Sequence, residues 1–315
     1  MSSSPVGSIV EHTERLDGRA LIYITIALMT WSSAYAAIAY ALASFTPGEV
    51  ALARLAIGAL CFVLLQWMRR APLPRRSDWL QLAVLGVIGL TVYHLCLNYA
   101  ETRIASGTAA ILISLVPAAT ATLSAFWIGE RISARRALGL GVALFGVVLV
   151  VLTSGKQVSF QPMAALVLVS VLASAIFFVG QKPLFVRNDM IGVTTFAFLA
   201  GTLGTLPFGL GLPHALAVAP WTHIAALVWL GIAPTFVGYL TWNAALRRAS
   251  ASQVSSFIYF SPPIAVLIGW VWLGEQPGWL TLLGGAVTVG GVALANARRA
   301  VVPAPAAVVE EACES

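Results

Sequence analysis

Several side chains that can carry charge or form hydrogen bonds stand in the middle of long apolar segments. Arg54 is the only Lys or Arg well inside such a segment. His94 and Asn98 are i and i+4, and so are Trp31 and Tyr35, so each pair shares one face of a helix. A charge within a bilayer is costly and marks a functional candidate, and a Trp or Tyr far from the headgroups needs a hydrogen-bond partner. This pattern predicts a polar, aromatic-walled, nearly neutral site for a small solute inside a membrane.

Each of these residues also has a purely structural interpretation. Polar side chains often hydrogen-bond between packed membrane helices, and buried aromatic rings often only fill a core. For Arg54, the alternatives are a role in holding helices together and direct contact with a substrate.

The same residue types recur at a shift of 145 positions, as from Asn98 to Asn243. By this shift His94 corresponds to Tyr239 and Ser114 to Tyr259. A fixed-period match in an apolar chain predicts a membrane protein built from two copies of one helical unit. The other matches are Pro117 with Pro262, Trp127-Ile128-Gly129-Glu130 with Trp272-Leu273-Gly274-Glu275, Gly139 with Gly284, and Gly146 with Gly291.

Pro117 and Pro262 are predicted to lie near the middle of their spans. Each removes a backbone donor and frees the carbonyl four residues earlier, at Ile113 and Ile258. A freed carbonyl is tolerated in lipid only beside a cavity or other protein. We therefore expect a hinge bordering a substrate cavity, with a packing kink as the alternative. The pairs His94/Asn98 and Tyr239/Asn243 are expected to form two polar belts that act as gates, one above and one below this cavity.

The composition predicts an all-α integral membrane protein. The chain has 315 residues, 59% of them hydrophobic and 10% charged, whereas a soluble domain has about 25% charged residues. A helix crosses the hydrocarbon core with roughly 20 apolar residues. Ten segments meet this requirement: 20–43, 47–68, 79–100, 105–128, 135–152, 162–184, 192–211, 221–246, 252–273 and 277–297.

The positions of the basic residues predict the orientation of these ten helices. With the N-terminus in the cytoplasm, the opposite side holds only Arg103 and Lys156, and Arg54 lies within a span. All other members of the 18 Lys and Arg then fall on the cytoplasmic side, as the positive-inside rule requires. An odd number of helices in each copy makes the two copies inverted five-helix repeats, the usual basis of alternating access.

Motifs along the chain resemble those of the EamA-like branch of the drug/metabolite transporter superfamily. In the first copy they are Trp31-Ser32-Ser33, Pro47 with Arg54, Ala105-Ser106-Gly107-Thr108-Ala109-Ala110, Pro117 and Gly129-Glu130-Arg131; in the second they are Ala249-Ser250-Ala251-Ser252, Pro262, Gly274-Glu275 and Gly284. The resemblance implies repeat 1 over 20–152, repeat 2 over 162–297, a cytoplasmic tail 1–19 and a disordered tail 298–315. It also implies an exporter or permease of small metabolites, amino acids or drugs, with no bound cofactor.

We therefore expect a secondary transporter in the cytoplasmic (inner) membrane, with both termini in the cytoplasm. Its partners would be a small-molecule substrate, such as an amino acid or an amphipathic or aromatic compound, and the lipid bilayer. The alternatives are an antiporter of phosphorylated metabolites, which would need several cavity cations, and a membrane receptor or regulatory protein. No catalytic cluster, metal-ligand spacing or nucleic-acid surface is visible. Because no carboxylate is predicted at the midplane, transport is expected to be facilitated, or coupled to protons through His94 or a peripheral Glu.

Glycines concentrate in the predicted helices 5 and 10, at Gly139, Gly141, Gly146, Gly284, Gly285, Gly290 and Gly291. Small residues let membrane helices approach closely. The sequence therefore predicts either a scaffold contact within the chain or a homodimer through helices 5 and 10, and it does not choose between them.

Overall fold

The computed structural model describes residues 17–128, 134–153, 162–246, 248, 254 and 257–296. The longer of these ranges consist of helices with short connections between them. The first half contains α1 Gly18–Ala41, α2 Pro47–Arg69, α3 Trp79–Gly86, α4 Tyr93–Glu101, α5 Ser106–Ile113, α6 Val116–Ile128 and α7 Ala134–Thr153. The second half contains α8 Pro162–Arg187, α9 Met190–Thr205, α10 Leu212–Val218, α11 Trp221–Leu230, α12 Gly238–Leu246, α13 Ser261–Leu273 and α14 Trp279–Asn296.

Side-chain caps fix where several helices begin. Asp17 accepts a hydrogen bond from the backbone N–H of Ala20 at 2.6 Å and caps α1. This bond, together with the ion pair to Arg248 at 2.8 Å, lowers the pKa of Asp17. At the start of α2, Thr46 and Glu49 form a reciprocal capping box that satisfies two backbone donors. Polar residues that lie just before an apolar segment, or in its first turn, therefore determine where α1 and α2 begin.

Six helices are long and apolar enough to cross a membrane: Gly18–Ala41, Pro47–Arg69, Arg76–Glu101, Pro162–Arg187, Met190–Phe208 and Trp221–Ala245. Four shorter apolar helices cover Ser106–Thr120, Gly141–Val150, Ser261–Leu273 and Trp279–Gly291. Each of these ten helices falls within or largely overlaps one of the ten segments predicted from hydropathy. The chain is thus an all-helical, multi-pass membrane protein.

The secondary structure repeats at the same shift as the sequence. Shifting α4 by 145 residues gives the bounds of α12, and shifting α6 gives the bounds of α13. Each half also has a π-helical segment at the same place, Val87–Val92 in one and Gly231–Val237 in the other. π-Helical turns are rare and cluster at functional sites. A matched pair of them supports the duplication independently of residue identities.

The two halves interleave instead of packing as separate domains. Helix α1 packs against α11, α12 and α13 of the second half, and in the reciprocal arrangement α8 packs against α4, α5 and α6 of the first half. Matched helices also contact each other, as α2 does with α9 and α7 with α14. The apolar surface is consequently buried between the halves, with a central cluster that includes Ile38, Leu112 and Leu230.

Helices α7 and α14 pack against each other through their glycines. A Cβ on Gly146 would lie 2.5 Å from the backbone N of Thr288, and one on Gly291 would lie 2.4 Å from the backbone N of Ala143. The glycine-lined faces are therefore occupied within one chain, as the scaffold alternative requires. A homodimer through helices 5 and 10 would have to use their outer faces, where Leu144 and Phe145 are exposed.

A contact between two sequence motifs also joins the halves. The carboxylate of Glu275 accepts hydrogen bonds from the backbone N–H of Ser106 at 3.1 and 3.2 Å and from its hydroxyl at 2.6 Å. A carboxylate at a helix N-terminus satisfies unpaired amides and complements the helix dipole. The Gly274-Glu275 motif of the second half thus caps α5 of the first. Glu130, its counterpart by the shift, lies outside the described residues.

Candidate functional site

A cavity lies between the two halves, and we call it the interhalf cavity. Its volume is about 60 Å³, which accommodates several water molecules at about 10–15 Å³ each. Its wall is mostly apolar and aromatic, with a few polar groups, as is typical of sites for small organic molecules. The lining residues are Leu28, Trp31, Ala34, Tyr35, Arg54, Tyr93, His94, Leu97, Ile113 and Val116 from the first half, and Ser174, Phe178, Tyr239, Ile258 and Ser261 from the second.

The π-helical segment Gly231–Val237 positions two of the predicted site residues. Thr235 accepts a hydrogen bond from Nε of Arg54 at 2.8 Å, and the carbonyl of Pro234 accepts one from the indole N–H of Trp31 at 2.9 Å. Arg54 is 4% exposed, and its guanidinium nitrogen Nη1 has no hydrogen-bond partner in the described part of the chain. Arg54 therefore connects α2 to the second half through Nε while the rest of its head lines the cavity.

The Trp31-Ser32-Ser33 motif ties α1 to the second half at each of its three residues. Besides the bond from Trp31, the hydroxyls of Ser32 and Ser261 lie 3.0 Å apart, and Ser33 accepts a bond from the indole of Trp229 at 3.0 Å. The three side chains point to different partners because successive helical residues lie about 100° apart. The motif thus fastens α1 to the second half beside the cavity.

His94 and Tyr239 line the same cavity, whereas the sequence predicted that they belong to two separate polar belts. They are counterparts by the 145-residue shift, and each follows the π-helical segment of its half. These two counterparts from different halves therefore face one space. His94 is fully buried, and neither ring nitrogen has a partner among the described residues.

The two asparagines lie outside the cavity lining. The amide nitrogen of Asn98 donates to the carbonyl of Pro47 at 3.0 Å, which fastens α4 to the start of α2. Asn243 is buried on α12. Sharing a helix face at i and i+4 did not place these asparagines in the cavity lining with His94 and Tyr239.

The two prolines do not line the cavity themselves, but Val116 and Ser261, the residues just before them, do. Helix α5 ends at Ile113 and α6 begins at Val116, just before Pro117, while α13 begins at Ser261, just before Pro262. Both predicted helix breaks are therefore present. Ser114 is buried in the first break and donates to the carbonyl of Ile111 at 2.6 Å. The side chain of Tyr259 lies outside the described residues.

Four polar or aromatic lining residues were missed from the sequence: Tyr93, Ser174, Phe178 and Ser261. Tyr93 adjoins His94 in the same apolar segment. Ser174 and Phe178 are i and i+4 on α8, which is also the spacing of Trp31 and Tyr35 on α1. This shared spacing could have indicated from the sequence that Ser174 and Phe178 line the cavity. Ser261 corresponds by the shift to Val116, another lining residue.

Three glutamates of the described residues lie near the ends of apolar helices, with Glu49 and Glu101 buried and Glu275 partly exposed. Glu49 is engaged in the capping box and Glu275 in the cap of α5. Glu101, at the end of α4, is 6% exposed, and neither of its oxygens has a partner in the described ranges. Of the three peripheral glutamates in the described ranges, Glu101 is thus the one whose oxygens make no described hydrogen bond.

Comparison with known proteins identifies the family that this architecture resembles. The profile of the EamA-like transporter family matches residues 18–152 and again 161–297. A relative from Streptantibioticus cattleyicolor, named a probable terminal-alkyne amino-acid exporter, is 31% identical over 280 residues, covering 89% of this chain and 94% of that protein. The uncharacterized transporter YdfC of Bacillus subtilis is 32% identical over 262 residues, covering 83% and 86%.

One solved crystal structure shares the fold. It aligns with a TM-score of 0.59 at 21% sequence identity, covering 88% of this chain and 96% of that one. At this level of identity the likeness concerns the arrangement of helices alone.

Proposed function

The chain belongs to the EamA-like transporter family, and on that premise we propose that it exports small organic metabolites by alternating access through the interhalf cavity. The cargo is an amino acid or an amphipathic or aromatic compound. The main support for the proposal is the cavity, which is lined by residues of both halves. It combines aromatic rings with nitrogen atoms of Arg54 and His94 that have no hydrogen-bond partner among the described residues. The relative named an amino-acid exporter supports the direction and the class of cargo.

The proposal includes a transmembrane arrangement. It consists of ten spans in two inverted five-helix repeats, 20–152 and 162–297, with tails 1–19 and 298–315 and both termini in the cytoplasm. The matched helix bounds and matched π-helical segments support two related units. The distribution of Lys and Arg supports the inversion and the cytoplasmic membrane.

The site residues take two roles in this proposal. Trp31, Tyr35, Arg54, His94 and Tyr239 contact the cargo, since they line the cavity. The breaks at Pro117 and Pro262 let α6 and α13 change their angles, with Ser114 and Tyr259 beside them. Asn98 and Asn243 fasten the gating ends of α4 and α12. An antiporter of phosphorylated metabolites would need more cations than Arg54, the only Lys or Arg in the described lining.

Export is tested by overproducing the protein in cells challenged with amino acids, their alkyne analogues and aromatic drugs. We expect the tolerated concentration of at least one compound to rise severalfold, because efflux lowers its internal level. Uptake of that compound into inside-out vesicles should rise in parallel, with vector-only vesicles as the control. No protection and no flux for any compound in these classes would contradict the proposal.

A further inference from the structure

Arg54 is a buried cation without an anionic partner in the described structure. The ion pairs of the described ranges join Arg187 to Asp78 and Arg248 to Asp17, and neither involves Arg54. Glu101 influences Arg54 electrostatically but does not come within ion-pair distance of it. Within the described cavity wall there is no Asp or Glu. The positive charge of Arg54 is therefore available to a molecule in the cavity.

The geometry of the guanidinium selects the group that it can bind. Its Nε is already held by Thr235 at 2.8 Å, which fixes the plane of the head. Its Nη1 is buried and has no partner in the described structure, and Arg54 is one of the residues that line the cavity. A fixed, planar, weakly hydrated guanidinium matches the geometry of a carboxylate, and the exclusion of water strengthens the pairing. One cation balances one negative charge, which favours a carboxylate over a phosphate dianion.

The rest of the wall suits an apolar or aromatic cargo with few other polar groups. Trp31, Tyr35, Tyr93, Phe178 and Tyr239 supply ring faces and edges around the cavity. A cargo ammonium would meet no carboxylate in the described wall. It would instead meet the aromatic faces, which attract cations, and an unprotonated ring nitrogen of His94, which accepts a hydrogen bond.

We propose that Arg54 binds the carboxylate of a monocarboxylic cargo, whose apolar remainder packs against the aromatic wall. This inference rests on the proposed export function and names the group that the exporter recognises. It predicts discrimination between an amino acid and its primary amide, two molecules of nearly identical shape of which only the acid carries a negative charge. Arg54 then has two separable roles, an anchor to Thr235 and a receptor for the cargo.

Transport and binding are measured separately with L-propargylglycine, L-phenylalanine and the primary amide of each. Flux is followed in proteoliposomes, and binding is followed on purified protein as the shift in unfolding temperature. We expect wild-type protein to prefer the acids, and Arg54→Gln to weaken acid binding by about 10- to 100-fold while leaving the amides unchanged, since one charge-assisted contact is lost. Arg54→Lys should restore part of the preference. Thr235→Val should weaken the preference without abolishing it, because Arg54 keeps its charge but loses the bond that fixes its plane.

The two readouts distinguish failure of the inference from failure of the exporter proposal. Acid-selective stabilisation that depends on Arg54, without any flux, supports the inference and contradicts export. Flux or binding with equal preference for acids and amides overturns the inference and leaves export standing. If both Arg54 variants fold but lose binding and transport of acids and amides equally, Arg54 only anchors the helices and does not recognise the carboxylate.

Discussion

Replacing Ser174 with tryptophan is expected to abolish export while the protein still folds and inserts. Ser174 lines the interhalf cavity from α8 and is 8% exposed. The cavity volume is only about 60 Å³, so an indole added to its wall occupies the space that the cargo needs. We expect transport below about 5% of wild type, with a stability cost of about 1–3 kcal/mol for overpacking.

A matched control is available on the same helix. Leu172 is 60% exposed on the outer surface of α8, so Leu172→Trp adds the same indole where neighbouring lipid can make room. This variant should transport at nearly the wild-type rate and appear in the membrane in similar amounts. Retained transport in Ser174→Trp, or equal loss in both variants, would contradict a cargo path through the cavity.

Alanine at Gly146 or Gly291 is expected to destabilise the contact between α7 and α14 by about 1–3 kcal/mol or more. The new Cβ would meet backbone atoms of the partner helix, 2.5 Å away for Gly146 and 2.4 Å away for Gly291. Backbone atoms cannot move aside as the end of a flexible side chain can, so the helices must separate. The loss is measured as a lower unfolding temperature of the purified protein in detergent.

Two glycines on the same helices provide the comparison. A Cβ on Gly141 or Gly290 would have no heavy atom of the described structure within 4 Å. Alanine there should be neutral or stabilise by about 0.5–1 kcal/mol, because glycine is a poor helix former. Equal effects at all four positions would contradict the packing described for this interface. A change of oligomeric state in Gly146→Ala without loss of stability would indicate that this face forms a dimer.

The site residues that the sequence predicted are of types that are rare within apolar membrane segments. Arg54 was recognisable because a charge within a membrane segment is rare, and His94 and Tyr239 because the repeat pairs them. Pro117 and Pro262 predicted the helix breaks, since a missing backbone donor has a local effect that does not depend on the fold.

Other features depend on tertiary geometry and gave no clear signal. Ser174 and Ser261 line the cavity, but serine is common in membrane helices wherever they pack closely. The π-helical segment Gly231–Val237 supplies the partners of Arg54 and Trp31, and no residue type specifies such a segment. Asn98 shares a helix face with His94, yet its amide is used by the carbonyl of Pro47, a contact that depends on how α2 begins.

The most direct test of alternating access is whether one cavity residue can be reached from both sides of the membrane. Ser174→Cys is placed in a protein whose native Cys61, Cys96 and Cys313 are changed to alanine. It is then treated with a membrane-impermeant methanethiosulfonate in right-side-out and in inside-out vesicles. Alternating access predicts that the cysteine introduced at position 174 is modified from both sides of the membrane, and that transported cargo slows the modification from both sides. Modification from one side only, with or without cargo, would contradict it.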